Sequence, residues 1–195
     1  MEDQCSPPYS FELTDTARWK EHLVQEGFCV LRGVADKNDV QTAKELLWRD
    51  IEAGSSRWLP ETGLLASLAQ SEGAWSVRGI PGVKAAFEQV WEDSDLIVSM
   101  DAVIAWRPWW HEEAWRPRTE GLHLDQNPFS KPGLDCVQGM MPLIDVTEAT
   151  GGLEVVPRSH LEEAKAAYRE RYPGMAGTHT HLLTIYHRQK DTMGH

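Results

Sequence analysis

The sequence predicts an α+β protein, with helices first and an antiparallel sheet system as the main body after them. Two features of its patterning carry that expectation. Through residue 91 apolar side chains recur at helical spacing. From residue 95 the period shortens to that of strands, punctuated by Pro, Gly and acidic turns. Composition adds a third: a 195-residue chain that is 41% apolar and 25% charged can bury a sizeable core, and 1–195 reads as a single domain.

The elements follow in order. Thr14 or Asp15 caps a helix through "TARWKEHLVQEGF", with Trp19, Leu23 and Val24 as its apolar positions. "FCVLRGV" (28–34) is a short buried strand. Asp36 caps a second helix through "NDVQTAKELLWRDIEAG", and Gly54 stops it. A third helix follows Pro81, with Val83, Phe87 and Trp91 at helical spacing. Strands are then expected in "DLIVSMDAVIAW" (95–106), around His123, in "DCVQGMMPLIDV" (135–146) and in "GGLEVV" (151–156). "SHLEE" (159–163) reads as a capping box, Ser159 with Glu162, opening a helix that Pro173 and Gly174 end. "THTHLLTIYH" (178–187) has the pattern of one more strand.

Charge and targeting signals exclude several classes. A formal net charge of −11 disfavours nucleic acid as a partner, because binding a phosphate backbone needs a cationic surface. No apolar run approaches membrane-spanning length. The segment "MEDQCSPPYSFELTD" has neither a basic region nor an apolar one, so a cytoplasmic location is expected. Cys5, Cys29 and Cys136 form no paired framework, which fits a reducing compartment. Cys29 and Cys136 read as small buried hydrophobes.

Chemistry concentrates in "EGLHLDQNPF" (120–129). On a strand, His123 and Asp125 share one face, about 7 Å apart at their α-carbons, while Leu122 and Leu124 take the other. An imidazole and a carboxylate so placed converge on one ion and suit a first-row divalent metal. Fe(II) is favoured when a second histidine completes a facial triad, which leaves positions open for a cosubstrate and oxygen. His-x-Asp alone is a common pair, and a simple hydrogen bond is its ordinary reading.

The surroundings sharpen it. "HLDQNPF" followed by "DCVQGMMPLIDVTEATGGLEVVPRSH" resembles the phytanoyl-CoA dioxygenase-like family of Fe(II)/2-oxoglutarate-dependent oxygenases, and "QEGFCVLRGVADKNDV" is similar to that family's entry helix and strand. The resemblance covers 21–56 and 95–162 and fades after 173. It implies a double-stranded β-helix (jelly-roll, cupin-like) core behind N-terminal helices. His123 and Asp125 are then the first two iron ligands, and a small organic substrate is hydroxylated by molecular oxygen while 2-oxoglutarate becomes succinate and carbon dioxide. A carboxylate at 125 points to hydroxylation, since related halogenases lack it. Gln126 and Gln138 are candidates to bind 2-oxoglutarate, or else to satisfy backbone groups at the barrel mouth.

The family's distal histidine stands in a G-D-x-n-H context with an arginine beyond it. Nothing past residue 160 has that form. His179, His181, His187 and His195 remain by elimination, with His187 the candidate third ligand and solvated tail histidines the plainer reading. The chain accordingly reads as incomplete at its C-terminal end. A catalytically inactive relative acting as an interaction or structural protein is the second hypothesis. A cupin-like enzyme using another divalent metal is the third.

Three further features have two readings each. "WRPWWHEEAWRPR" (106–118) packs four of the nine tryptophans into one stretch, as a substrate wall or as core-plugging indoles. His160 lies beside the metal-like motif, but its place near a helix start makes it structural. Arg158 stands where the family usually has Gly, so it must avoid a positive φ or accept strain.

Overall fold

The computed structural model describes residues 9–54, 62–98, 102–118, 122–124, 126–134 and 136–174. They form two compact units, one drawn from 1–24 and 29–117, the other from 25–28 and 118–195.

In the first unit helices form where the periodicity places them, at 16–26, 37–52 and 81–91. Strand β1 (Ser10–Glu12) leads into helix α1 (Thr16–Glu26), and β2 (Val30–Arg32) returns parallel to β1 with Phe11 opposite Leu31. A parallel return needs a crossover, and α1 supplies it. Trp19 is fully buried and donates its indole N–H to the Leu13 carbonyl at 3.2 Å, so the largest apolar side chain of the helix is buried without an orphaned donor. Val24, expected on the same stripe, is exposed. The strand at 28–34 is shorter than expected and only half-buried at Leu31.

Asp36 caps α2 (Lys37–Glu52) as expected. Its carboxylate accepts from the amides of Asn38 and Asp39 at 2.7 and 2.8 Å, and its own N–H donates to Asp39 at 3.4 Å. Gly54, at φ +68°, ends the helix. Two elements carry no strong pattern in the sequence. A 3-10 turn (Ala66–Gln70) precedes α3 (Glu72–Arg78), whose cap Ser71 accepts from the Ala74 amide at 3.1 Å. Helix α3 lies against α2 through Gly73, where a methyl would meet Leu47 at 2.5 Å. Helix α4 (Pro81–Trp91) starts on its proline. The pair β3 (Leu64–Leu65) and β4 (Val103–Ile104) is antiparallel. Trp19, Ala43, Leu47, Leu65, Leu68, Ala74 and Ile80 make the core of this unit.

The second unit departs from expectation. Among its described residues no ladder runs through 122–124 or 136–146, and only Leu153 of 151–156 makes a bridge. Pro128, Pro132 and Pro142 withhold ladder donors along this stretch. A tight turn reverses the chain instead. Thr150 Oγ1 donates to the Asp145 carbonyl at 2.7 Å, the Gly151 N–H reaches the Thr147 carbonyl at 2.9 Å, and Gly151 takes φ +78°. That turn lays Val146 on Gly152, whose missing side chain makes the approach possible. Leu134, Ile144, Val146 and Leu153 are exposed, against the expectation of strands with one covered face.

The last helix among the described residues, α5, spans Glu162–Arg171, and no side chain caps it. Ser159 is not its cap, because Arg158 takes the positive φ, +64°, and turns the chain before the helix begins. Glu162 pairs with Arg169 instead of reaching back. No helix among the described residues is long and apolar enough to cross a membrane.

Candidate metal centre

His123 lies half-buried in an irregular segment, not on a strand, with Leu122 exposed beside it. Asp125 and His187 fall outside the described residues, as do His179, His181 and His195. Among the described residues no three His, Cys, Asp or Glu side chains gather as a metal-holding group. His123 is therefore the one member of the expected donor set whose surroundings are visible.

The chain immediately after it is closely tied. Gln126 donates its side-chain amide to the carbonyls of Lys131, at 2.6 Å, and Gly133. Asn127 is buried, and its Oδ1 accepts from the Phe129 amide at 2.9 Å, an Asx turn made by the residue type that favours one. The Asn127 carbonyl takes the Lys131 N–H at 2.9 Å. Two side chains one turn apart on α5 complete the belt: Lys165 donates to the Pro132 carbonyl at 2.8 Å and Arg169 to the Pro128 carbonyl at 3.2 Å. Gln126 thus spends its donors on backbone, the plainer of its two readings. Gln138 is exposed in the irregular stretch after Cys136.

A second tie sits at the other signature segment. The Arg158 N–H donates to the Glu26 carbonyl at 2.9 Å, and its guanidinium grips the Glu26 carboxylate at 2.7 and 3.0 Å. That carboxylate holds the Arg158 guanidinium above its usual pKa by hydrogen bonding and then by charge. His160 packs on Gly27, whose φ of +84° only glycine adopts freely. His160 precedes α5, which begins at Glu162, so it does not lie just inside a helix start as expected. Spotting the partner of Arg158 in the sequence was impossible, since 132 residues separate the pair.

The tryptophan stretch divides between its two readings. Trp106 covers Gly63 and donates to the Thr62 carbonyl at 3.1 Å, an indole plugging its own unit. Trp110 stays exposed, edge-on to Trp109, while Arg107 lies 5.4 Å over the Trp115 ring. Cys136 is exposed, contrary to its reading as a buried hydrophobe. Cys29 is half-buried, and burial pushes its thiol pKa from 9.0 up to about 11.

These segments are where comparison with known proteins finds its match. The family model described as phytanoyl-CoA dioxygenase (PhyH) matches residues 23–192, most of the chain. The chain belongs to the phytanoyl-CoA dioxygenase family. Both ties, at 126–133 and at Glu26–Arg158, lie within the matched residues. The Ava biosynthesis cluster protein O of Aspergillus versicolor is 28% identical over 151 residues, covering 69% of this chain and 48% of that protein. The chain thus spans about half the length of this curated relative. No solved structure matches it.

Proposed function

We propose that this phytanoyl-CoA dioxygenase relative is a single domain of a non-haem Fe(II)/2-oxoglutarate-dependent dioxygenase that hydroxylates a small organic substrate. The observation that carries the reading is the family match over 23–192, which includes the His123–Leu124–Asp125–Gln126 segment. The donor chemistry fits the metal: a neutral imidazole and a carboxylate two residues apart suit Fe(II) better than a thiolate-seeking ion. His123 and Asp125 would hold iron, with His187 the candidate third ligand, in a jelly-roll core of the kind the family uses. Bound there, iron and 2-oxoglutarate supply the oxidising chemistry. Succinate and carbon dioxide are the products alongside a hydroxylated substrate.

The chain's own residues have a narrower task. Gln126 closes the loop 126–133 that follows His123 in the chain, and Asn127 and Pro128 are buried in it. Gln138, exposed as it stands, is a candidate contact for 2-oxoglutarate. A relative named for a biosynthesis cluster supports a small molecule as substrate.

The test is an anaerobic titration of the folded chain with Fe(II) and 2-oxoglutarate, followed by the weak visible charge-transfer absorption of an iron-bound 2-oxoacid. A saturable band, lost in His123→Ala and in Asp125→Ala, is expected. No band from a folded sample would assign the chain to the non-catalytic alternative, a protein that acts through interaction.

A further inference from the structure

We propose that residues 156–161 form an electrostatic latch. A left-handed turn at Arg158, disfavoured for an arginine, is held closed by the Glu26 carboxylate and relaxes to extended backbone when that ion pair is weakened. Both partners belong to the second unit. The latch involves no metal and stands or falls apart from the oxygenase reading.

Val156, Pro157, Arg158 and Ser159 have the pattern of a type II turn, with proline at the first central position and a left-handed residue, at φ +64°, at the second. For an L residue that region lowers the population about 5- to 30-fold. Where the family usually has Gly, the same turn is free of strain and needs no hold. The arginine brings its own. Its N–H donates to the Glu26 carbonyl at 2.9 Å, and its Nε and Nη2 donate to one oxygen of the Glu26 carboxylate at 3.0 and 2.7 Å. The Glu26 side chain is 20% exposed and the more enclosed partner; the guanidinium, at 66%, is the one that water and ions reach. An exposed pair is worth up to about 5-fold in an equilibrium. A backbone hydrogen bond adds about 2- to 13-fold. Strain and hold are therefore of one order, and a modest weakening of the pair moves the balance.

The turn opens as one piece. The Ser159 N–H donates to the Val156 carbonyl at 3.2 Å and the Leu161 N–H to the Arg158 carbonyl at 3.1 Å, so both bonds need the backbone at 158 as it stands. Pro157 offers no N–H for a replacement bond. His160, packed against Gly27, goes with the same turn.

The experiment measures amide exchange at Arg158, Ser159 and Leu161 in the full chain by NMR, with α2 as the reference for global opening. Raising NaCl from about 20 mM to about 500 mM shrinks the Debye length from about 20 Å to about 4 Å. In the wild-type chain the three amides should then speed up together by about 2- to 5-fold, and α2 should not. Arg158→Gln keeps the strain and loses the charge, so it should exchange fast at both salt concentrations. Glu26→Gln leaves residue 158 untouched; it should do the same, and it serves where Arg158→Gln does not fold. Arg158→Gly loses the pair and the strain together. It should exchange more slowly than Arg158→Gln, without a salt response.

Exchange across 158–161 that ignores salt in the wild-type chain overturns the proposal. So does Arg158→Gly exchanging as fast as Arg158→Gln, because the turn then stores no strain and the pair is an ordinary surface one. A rise confined to Arg158, with Ser159 and Leu161 at their low-salt rates, removes the two-state turn. A matching rise in α2 makes the effect global and removes the latch as well.

Discussion

Replacing Gly27 by alanine separates two costs that usually come together. Gly27 sits at φ +84°, where an L residue pays about 1–2 kcal/mol. It also faces His160, and an added methyl would come inside contact distance of Nδ1, with Cγ and Cε1 at 3.0 Å. Overpacking of that kind costs about 1–3 kcal/mol. The lower entropy of the unfolded alanine chain returns about 0.4–1 kcal/mol. The net for Gly27→Ala is a destabilisation of about 2–4 kcal/mol. Gly54→Ala is the internal reference: Gly54 has φ +68°, and no described atom lies within 4 Å of the methyl position. It should lose only the conformational part, about 0.5–1 kcal/mol after the same offset. Urea unfolding followed by circular dichroism measures both. The contact contribution should then vanish when His160→Ala is added to Gly27→Ala, leaving a coupling of about 1–3 kcal/mol in the double-mutant cycle. A Gly27→Ala penalty as small as that of Gly54→Ala, or one that survives the loss of the imidazole, would refute the packing argument.

Three other outcomes follow from the same coordinates. Gly73→Ala improves helix propensity by about 1 kcal/mol but drives a methyl to 2.8 Å from the Leu47 backbone nitrogen, which no rotamer change relieves, so a net loss of about 1–2 kcal/mol in urea unfolding is expected. Arg158→Gly should unfold at higher urea than Arg158→Ala, because both lose the Glu26 pair but only glycine relaxes φ +64°; the reverse order would mean the backbone there is unstrained. Cys29 should alkylate much more slowly than the exposed Cys136 at pH 8, as followed by peptide mass spectrometry. Burial raises the Cys29 pKa, so the folded state keeps a proton that the unfolded state releases. That contribution is intact below about pH 9 and is lost as pH climbs from 9.0 to about 11; stability that rose across this window would contradict it.

What was legible in the sequence was whatever depends on neighbours along the chain. Asp36 with Asp39, Pro81 at a helix start and Gly54 at a helix end are local devices, and each sits where its chemistry demands. The β1–β2 pairing was invisible because nothing in "SFE" names a partner twenty residues on. The capping box at 159–163 failed for a different reason. Its residue types are right, but the turn forced by Arg158 moves the helix start to Glu162, and the distant Arg169 captures that carboxylate. At the candidate site, the spacing to Asp125 singled out His123, and Gln126 stood as a contact for 2-oxoglutarate or for backbone groups; its amide lies on the Lys131 and Gly133 carbonyls. The belt behind it was missed because Lys165 and Arg169 look like any solvated helix face until the loop they cap is seen.

The two units therefore rest on different physics. The first buries Trp19, Leu47, Leu65, Leu68 and Ile80, and its stability scales with apolar area removed from water. The second buries Asn127 and leaves Leu134, Ile144, Val146, Leu153 and Val156 exposed among its described residues. Its visible order comes from side chains bonded to backbone carbonyls: Gln126, Lys165 and Arg169 around one loop, Thr150 in another. Each such bond contributes about 0.5–1.5 kcal/mol, an order below what a filled core supplies. A framework held that way fixes positions locally and one residue at a time. It accounts for a family signature readable in 122–160 although, among the described residues of that stretch, only Leu153 makes a bridge: turn formers such as Thr147, Thr150 and Gly151 act on their immediate neighbours.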